Sequence, residues 1–217
     1  MDLVLVGAGG HAREIAGILL DLRLGAAPLR LAGIAADWGY EEEFWQAHFG
    51  CPLLGTVDDV LADLPPGRFV VGIGSGPARA QVGARFVDRG WTENPPLVHP
   101  SATVAAGSSL EPGTVVFPGA RVSVNVQVGR QTHINVGATI GHDAVLGAGC
   151  SLNPNAVVSG NVTLGDRSTV GANATVLERR RIAADVTIGA GAVVSRDIES
   201  PGITVVGIPA RQLIHGG

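Results

Sequence analysis

Lysine is absent from this chain: all fifteen of its basic side chains are arginine. That absence by itself points to no function, but the charge balance around it does. Nineteen Asp and Glu residues leave a net charge of −4 and a pI near 5.8, which argues against a general nucleic-acid binder. Cysteine is scarce. Cys51 and Cys150 stand far apart with no C-x-x-C pair, the usage expected in a reducing, cytoplasmic compartment. No apolar run reaches the roughly 20 residues of a membrane span, and Met1 to Val6 is too short and unsuited for a signal peptide. Neither a span nor a leader is therefore expected. Aromatic residues make up only 4%, yet the hydrophobic share is 46%, which excludes disorder.

What the chain has instead is aliphatic and periodic. From Val98 to Val194 every sixth residue is Val, Leu or Ile, seventeen consecutive hits without a slip of register. Four residues after nearly every one comes a small residue, as in Ala102, Ser108, Thr114 and Ala120, with Arg180 an exception. A period of six is neither helical nor simple strand alternation; it is the signature of a parallel β-helix. Three hexads make one triangular coil, so residues eighteen apart should stack, as in the column Val98, Val116, Ile134, Leu152, Val170 and Ile188. The residue after each aliphatic is often Gly or Asn (Gly129, Asn135, Gly141, Gly147). These are expected to tolerate a left-handed backbone at the corner. Cys150 occupies a small inward slot and reads as packing.

The period starts after Asn94-Pro95-Pro96, which places a domain boundary there, with units 1–94 and 95–217. Ahead of it, Leu3 to Val6 is a short buried strand. Gly7-Ala8-Gly9-Gly10 is a tight turn, and His11 to Leu24 carries apolar residues at helical spacing. Leu29 to Ala35 and Phe69 to Ile73 read as further strands, and Ala78 to Arg89 as a second helix. The order predicts a small parallel α/β domain with right-handed crossovers.

The first turn, G-x-G-G-x-A, partly matches a dinucleotide fingerprint. Its glycines would let a phosphate approach the amides of a helix N-terminus. Asp37, just past the second strand, is placed to meet a ribose or base. A tight turn without ligand is the alternative reading.

The whole chain resembles the hexapeptide sugar O- and N-acyltransferases, the two-domain type that includes UDP-4-amino-sugar N-acetyltransferases and sialic acid O-acetyltransferases. The resemblance rests on Gly7-Ala8-Gly9-Gly10-His11, on Leu97-Val98-His99-Pro100-Ser101-Ala102, on Ile140-Gly141-His142-Asp143 and on Val205 to Arg211. It implies a Rossmann-like amino-terminal domain holding a nucleotide-linked sugar, followed by a left-handed β-helix that forms a homotrimer. Acetyl-CoA would lie between neighbouring helices, and no metal is implied. His142 would take a proton from the attacking amine or hydroxyl, Asp143 would orient the imidazole, and the Gly160 amide would face the thioester oxygen. Gly7, Gly9, Gly10, His11, Asp37 and Asn135 would serve the sugar substrate, and Ser151, Gly160, Pro209, Ala210 and Arg211 the CoA. Two positions depart from the family pattern: Gly141 replaces an acid, and Ser151 replaces a second histidine.

The chemistry is reasonable without the likeness. A nucleophile attacking a thioester must lose a proton near neutrality, which suits an imidazole. If both substrates meet in one cleft, proximity and an oxyanion donor supply most of the rate without a covalent intermediate. His142, two residues past inward Ile140, should project outward; an idle solvent-facing corner residue is the alternative. Arg179-Arg180-Arg181 could meet CoA phosphates or form a solvated corner. Two rival functions remain at this stage. One is a metal enzyme of the β-helical carbonic anhydrase kind, drawing on His99, His133 and His142. The other is a non-catalytic trimer that senses a nucleotide sugar.

Overall fold

The computed structural model describes residues 2–23 and 30–213. Its first part is a five-stranded parallel sheet with order β3-β2-β1-β4-β5. The strands are β1 (Asp2–Val6), β2 (Arg30–Ala35), β3 (Leu53–Gly55), β4 (Arg68–Val71) and β5 (Thr92–Glu93). Leu3, Val4, Leu5 and Val6 are all buried, as a central strand covered on both faces requires. Helix α1 (Gly10–Arg23) turns Ala12, Ile15, Ala16, Ile18 and Leu19 into that core. The expected limits Leu24 and Leu29 lie outside the described residues.

Two helices escaped the sequence reading, α2 (Glu42–Phe49) and α3 (Val57–Asp63). Both are too short to show a helical period. α3 carries a local signal all the same: the Thr56 hydroxyl accepts from the Asp59 amide while Asp59 accepts from the Thr56 amide, a reciprocal cap. The last helix of this part, α4 (Gly76–Asp88), starts two residues before its expected limit.

From β6 (Leu97–Val98) to β22 (Val193–Val194) the chain is a regular left-handed β-helix of two-residue strands. The strands fall into three parallel sheets, the first starting at β6, the second at β7 (Thr103–Val104) and the third at β8 (Ser109–Leu110), and from β6 to β19 (Thr175–Val176) each pairs with the strand eighteen residues on. The column Val98, Val116, Ile134, Leu152, Val170 and Ile188 is realised pair by pair. The interior is dry and aliphatic, with the small residues Ala120, Ala138, Ala156 and Ala174 fully buried between the larger ones. The first coil is incompletely covered: Val104 is 36% exposed, because no coil lies beneath it.

The corner chemistry differs from expectation. The left-handed residues are three places after the aliphatic, not one: Asn125, Asp143, Asn155, Asn161, Asn173 and Asp185 have φ between 56° and 60°, and Gln131, Arg167 and Arg179 share the place with φ 54° to 60°. Asn and Asp enter this region most readily among side-chain-bearing residues. The glycines at the next-after-aliphatic place answer to close approach instead. A Cβ on Gly141 would sit 2.4 Å from the Gly160 nitrogen in the coil above.

The two parts are joined through α4. Arg79 is completely buried, and its guanidinium donates across the seam to the carbonyls of Gln131, Cys150 and Gly149 and to Ser151 Oγ. It also donates back to Ile73 and Gly74. Beside it Gln131 donates to Glu93 at 2.5 Å, and Arg130 pairs with Glu93 at 2.8 Å. Burial pulls Arg79 down to about 10, still a cation at neutral pH. At the far end, β23 (Thr204–Val206) pairs with β21 (Thr187–Ile188) and with the antiparallel β24 (Arg211–Gln212).

Candidate active site

Strand β1 lies between β2 and β4, which leave it in opposite directions, so the carboxyl ends of these strands open a crevice at a topological switch point. A pocket of about 210 Å³ occupies it, lined by Gly7, Gly9, Gly10, His11, Asp37, Trp38 and Gly74. Gly7 turns the chain with φ 104°, and a Cβ there would come within 3.1 Å of the Gly72 carbonyl. The turn therefore delivers the α1 N-terminus, with its unspent amides, to the pocket wall. Asp37 accepts the Val57 amide through Oδ1 at 2.9 Å. That bond ties the pocket to α3 and leaves Oδ2 for a ligand. Trp38, which sequence reasoning passed over, is 79% exposed beside the glycine turn. A large exposed indole next to a helix N-terminus with unspent amides is suited to stack on a base. Its position directly after Asp37 was the available signal.

His11 is the pocket residue that reaches the β-helix. Its Nε2 lies 2.7 Å from Nδ1 of His133, on β12 (His133–Ile134), and its ring packs 5.2 Å from Phe117. Burial, reinforced by the Arg79 charge, pushes His11 down to about 4 and His133 well below its usual range. Both rings are thus neutral at physiological pH. Hydrogen-bonded into the seam, His133 is also withdrawn from any metal site. His99 is likewise committed, to Ser101 and Asp21. The three histidines of the metal reading stand apart, and among the described residues no group of three or more His, Cys, Asp or Glu side chains is placed to hold a metal ion.

His142 follows β13 (Thr139–Ile140) at the corner between the second and third sheets. Its side chain is 58% exposed, and Nδ1 meets Asp143 Oδ2 at 2.7 Å. An ionised carboxylate only accepts, so Nδ1 carries the proton and Nε2 presents its lone pair. Asp143 accepts a second bond from Asn125 Nδ2 at 2.6 Å. These two donors, Asn125 first, hold its carboxyl below the usual range. The imidazole lies across Gly160 one coil above: a Cβ there would sit 2.7 Å from Nε2. His142, Asp143 and Gly160 are therefore brought together.

Other expected residues stand elsewhere. Asn135, after β12, is at a different corner, between the first and second sheets, with its Oδ1 accepting the Val136 amide. Phe117 stands at that same corner one coil below, so the corner adjoins His11. Ser151 is buried in the seam under Arg79 and donates to the Gly74 carbonyl, so it is not presented to a CoA groove as expected. Pro209, Ala210 and Arg211 cross the end of the β-helix, where the Ala210 amide donates to Val193. Arg179 and Arg180 pair with Glu178 and Asp197.

The amino-terminal region, residues 2–86, matches the family model of the PglD N-terminal domain, and residues 143–178 match that of the bacterial transferase hexapeptide, six repeats. Among solved structures, the acetyltransferase domain of PglB from Neisseria gonorrhoeae, in complex with acetyl coenzyme A, is 31% identical. The match covers 98% of each chain with a TM-score of 0.86. The chain belongs to the hexapeptide-repeat sugar acyltransferases. As a member of that family it is an acyltransferase. A perosamine N-acetyltransferase from Caulobacter crescentus, solved as a histidine-to-asparagine variant in complex with CoA and GDP-perosamine, is 30% identical. That match covers 98% of this chain and 97% of that one, with a TM-score of 0.86. WeeI from Acinetobacter baumannii, 19% identical with a TM-score of 0.72, shares the fold. No curated protein sequence matches. No described helix is long and apolar enough to cross a membrane.

Proposed function

We propose that this acyltransferase moves an acetyl group from acetyl-CoA to the amine of a nucleotide-linked amino sugar by direct attack, with His142 as general base. The observation that carries the reading is the ordered set Asp143–His142–Gly160. It offers a lone pair on Nε2 and an adjacent corner amide for the thioester oxygen. The unit 1–94 would hold the nucleotide sugar through Gly7, Gly9, Gly10, His11 and Asp37, and the unit 95–217 would hold CoA along the corner toward Pro209, Ala210 and Arg211. The two relatives with bound CoA or acetyl-CoA, one of them with GDP-perosamine, support both ligands. A cytoplasmic location agrees with the two buried cysteine thiols.

The same placement supports a homotrimer. A sugar in the pocket emerges near Phe117 and Asn135, one full coil face away from His142 of its own chain. Seven residues at about 3.3 Å each let the two corners stand up to roughly 23 Å apart. A neighbour's corner must then supply the base, and a closed threefold ring satisfies all three sites at once. Exposed apolar side chains mark both corners: Val136 at one, and Val124, Val145 and Leu177 at the other.

The test is a panel of UDP-, GDP- and dTDP-linked amino sugars with acetyl-CoA, followed by free-thiol release, on wild type and His142→Ala. Acetylation of one amino sugar and a 10²–10⁴-fold loss of turnover in the variant are expected. Near-normal turnover in a folded His142→Ala protein would remove the mechanism.

A further inference from the structure

We propose that Asn125 is a positioning residue for catalysis, the outer member of an Asn125–Asp143–His142 chain that fixes the imidazole for proton removal. The proposal rests on the reading of His142 as general base.

The chain is continuous and crosses one coil step. Asn125 Nδ2 donates to Asp143 Oδ1 at 2.6 Å, and Asp143 Oδ2 accepts from His142 Nδ1 at 2.7 Å. Asn125 and Asp143 are eighteen residues apart, so they hold the same place in successive coils. Both are in the left-handed conformation, with φ 56° and 58°. The coil ladder fixes the backbone between them, since the Asp143 amide donates to the Val124 carbonyl at 3.1 Å. Yet Asp143 is exposed and its carboxylate could rotate freely. A carboxylate that turns away leaves Nδ1 without its acceptor and the ring free to flip, which takes the Nε2 lone pair from the site. A side-chain amide on one oxygen removes that freedom and dedicates the other oxygen to the histidine. Asp143 acts on His142 directly; Asn125 acts only through Asp143.

The bland account is that Asn125 is there because a left-handed corner favours Asn. Asn155 and Asn173 hold the equivalent place at another corner, and Asn161, one coil above Asp143, donates its backbone amide to the His142 carbonyl at 2.8 Å. Asn125→Gly separates the accounts, because glycine adopts this φ at least as readily while removing the amide. Expected for Asn125→Gly are unchanged oligomeric state and thermal midpoint, a roughly five- to twentyfold loss of kcat, and KM values for acetyl-CoA and the amino sugar within about twofold. Asn125→Asp keeps corner tolerance but sets a second carboxylate against Asp143. Negative charge near the imidazole favours its protonated form, so the acid limb of kcat/KM should move to higher pH. In a His142→Ala background, Asn125→Gly should add no further loss.

Wild-type kcat and an unmoved acid limb in the two variants would overturn the proposal. So would an additive loss on top of His142→Ala. A His142→Ala protein of normal turnover would instead remove the general-base reading on which the proposal stands, an outcome read from the single variant alone.

Discussion

His11 and His133 meet across the seam between the α/β unit and the β-helix, Nε2 to Nδ1, at 2.7 Å. Both are held neutral by burial and by the Arg79 charge. In the unfolded chain each binds a proton near pH 6.5. Their folded pKa values are lowered, so the unfolded state gains protons first as pH falls. Stability contributed by His11 is complete above pH 6.5 and lost between there and about 4, in total about 3 kcal/mol. The thermal midpoint should drop steeply between pH 6.5 and 4.5, and His11→Asn should flatten that slope. Calorimetry across pH checks this; a flat wild-type profile would sink it.

Arg79 is a buried cation answered only by carbonyls and one hydroxyl. Arg79→Met leaves the Gln131 carbonyl without its donor and takes one of two donors from the Cys150 carbonyl, which keeps the His133 amide, and should cost about 3–5 kcal/mol. Arg79→Lys should recover little, because an ammonium cannot span that set. Urea unfolding measures both, and a loss below about 1 kcal/mol would show that the seam does not depend on this side chain.

Gly141 and Gly160 face each other but should fail in different ways. A Cβ on Gly160 meets the movable ring of His142 at 2.7 Å, whereas one on Gly141 meets backbone nitrogen at 2.4 Å. Gly160→Ala should keep the thermal midpoint within about 2 °C and cut kcat at least tenfold. Gly141→Ala should instead lower the midpoint itself, since the coil backbone must shift. Equal midpoints in the two variants would contradict this reading.

Trp38→Ala should weaken binding of the nucleotide portion roughly three- to tenfold, the worth of one stacking contact. Titration calorimetry with GDP and UDP reads this, while the KM for acetyl-CoA should stay unchanged. Unaltered nucleotide affinity would place the base elsewhere.

If Asn135 of one protomer serves with His142 of its neighbour, Asn135→Ala and His142→Ala homotrimers should each be impaired. Trimers reassembled from an equal mixture should regain about a quarter of the wild-type sites, because one chain then supplies each intact residue. Reassembled mixtures with no more activity than the parents would show that the site is built within one chain.

The β-helix was legible because its physics is one-dimensional. Each coil meets only its neighbours, so an inward aliphatic at every sixth residue specifies the architecture without long-range knowledge. The pair His142–Asp143 was legible for the same reason, since place in the hexad gives direction. What was hidden came from the seam. Arg79 falls on the same face of α4 as Gly76, Gly83 and Phe86, so helical spacing alone put a charge where a core residue belongs. Nothing in the sequence says that Gln131 and Ser151 in the β-helix wait opposite it. The corner glycines were read as conformational when they are steric, because the six-residue period does not report which corner position turns left-handed.

The uninterrupted coil also gives the molecule a phase. A position's corner is set by its number modulo eighteen, and its height by how many eighteens precede it. An insertion of one whole coil between Ile182 and Val194 would lengthen the barrel and leave every corner facing as before. An insertion of a single hexad at the same place would turn all later strands by one face, carrying the Pro209–Arg211 segment to another corner while leaving the aliphatic interior intact. Length changes in this scaffold are therefore quantised in hexads for folding but in whole coils for function, and a stable, well-packed relative whose extra hexads are not a multiple of three can be assembled out of step with its own active site.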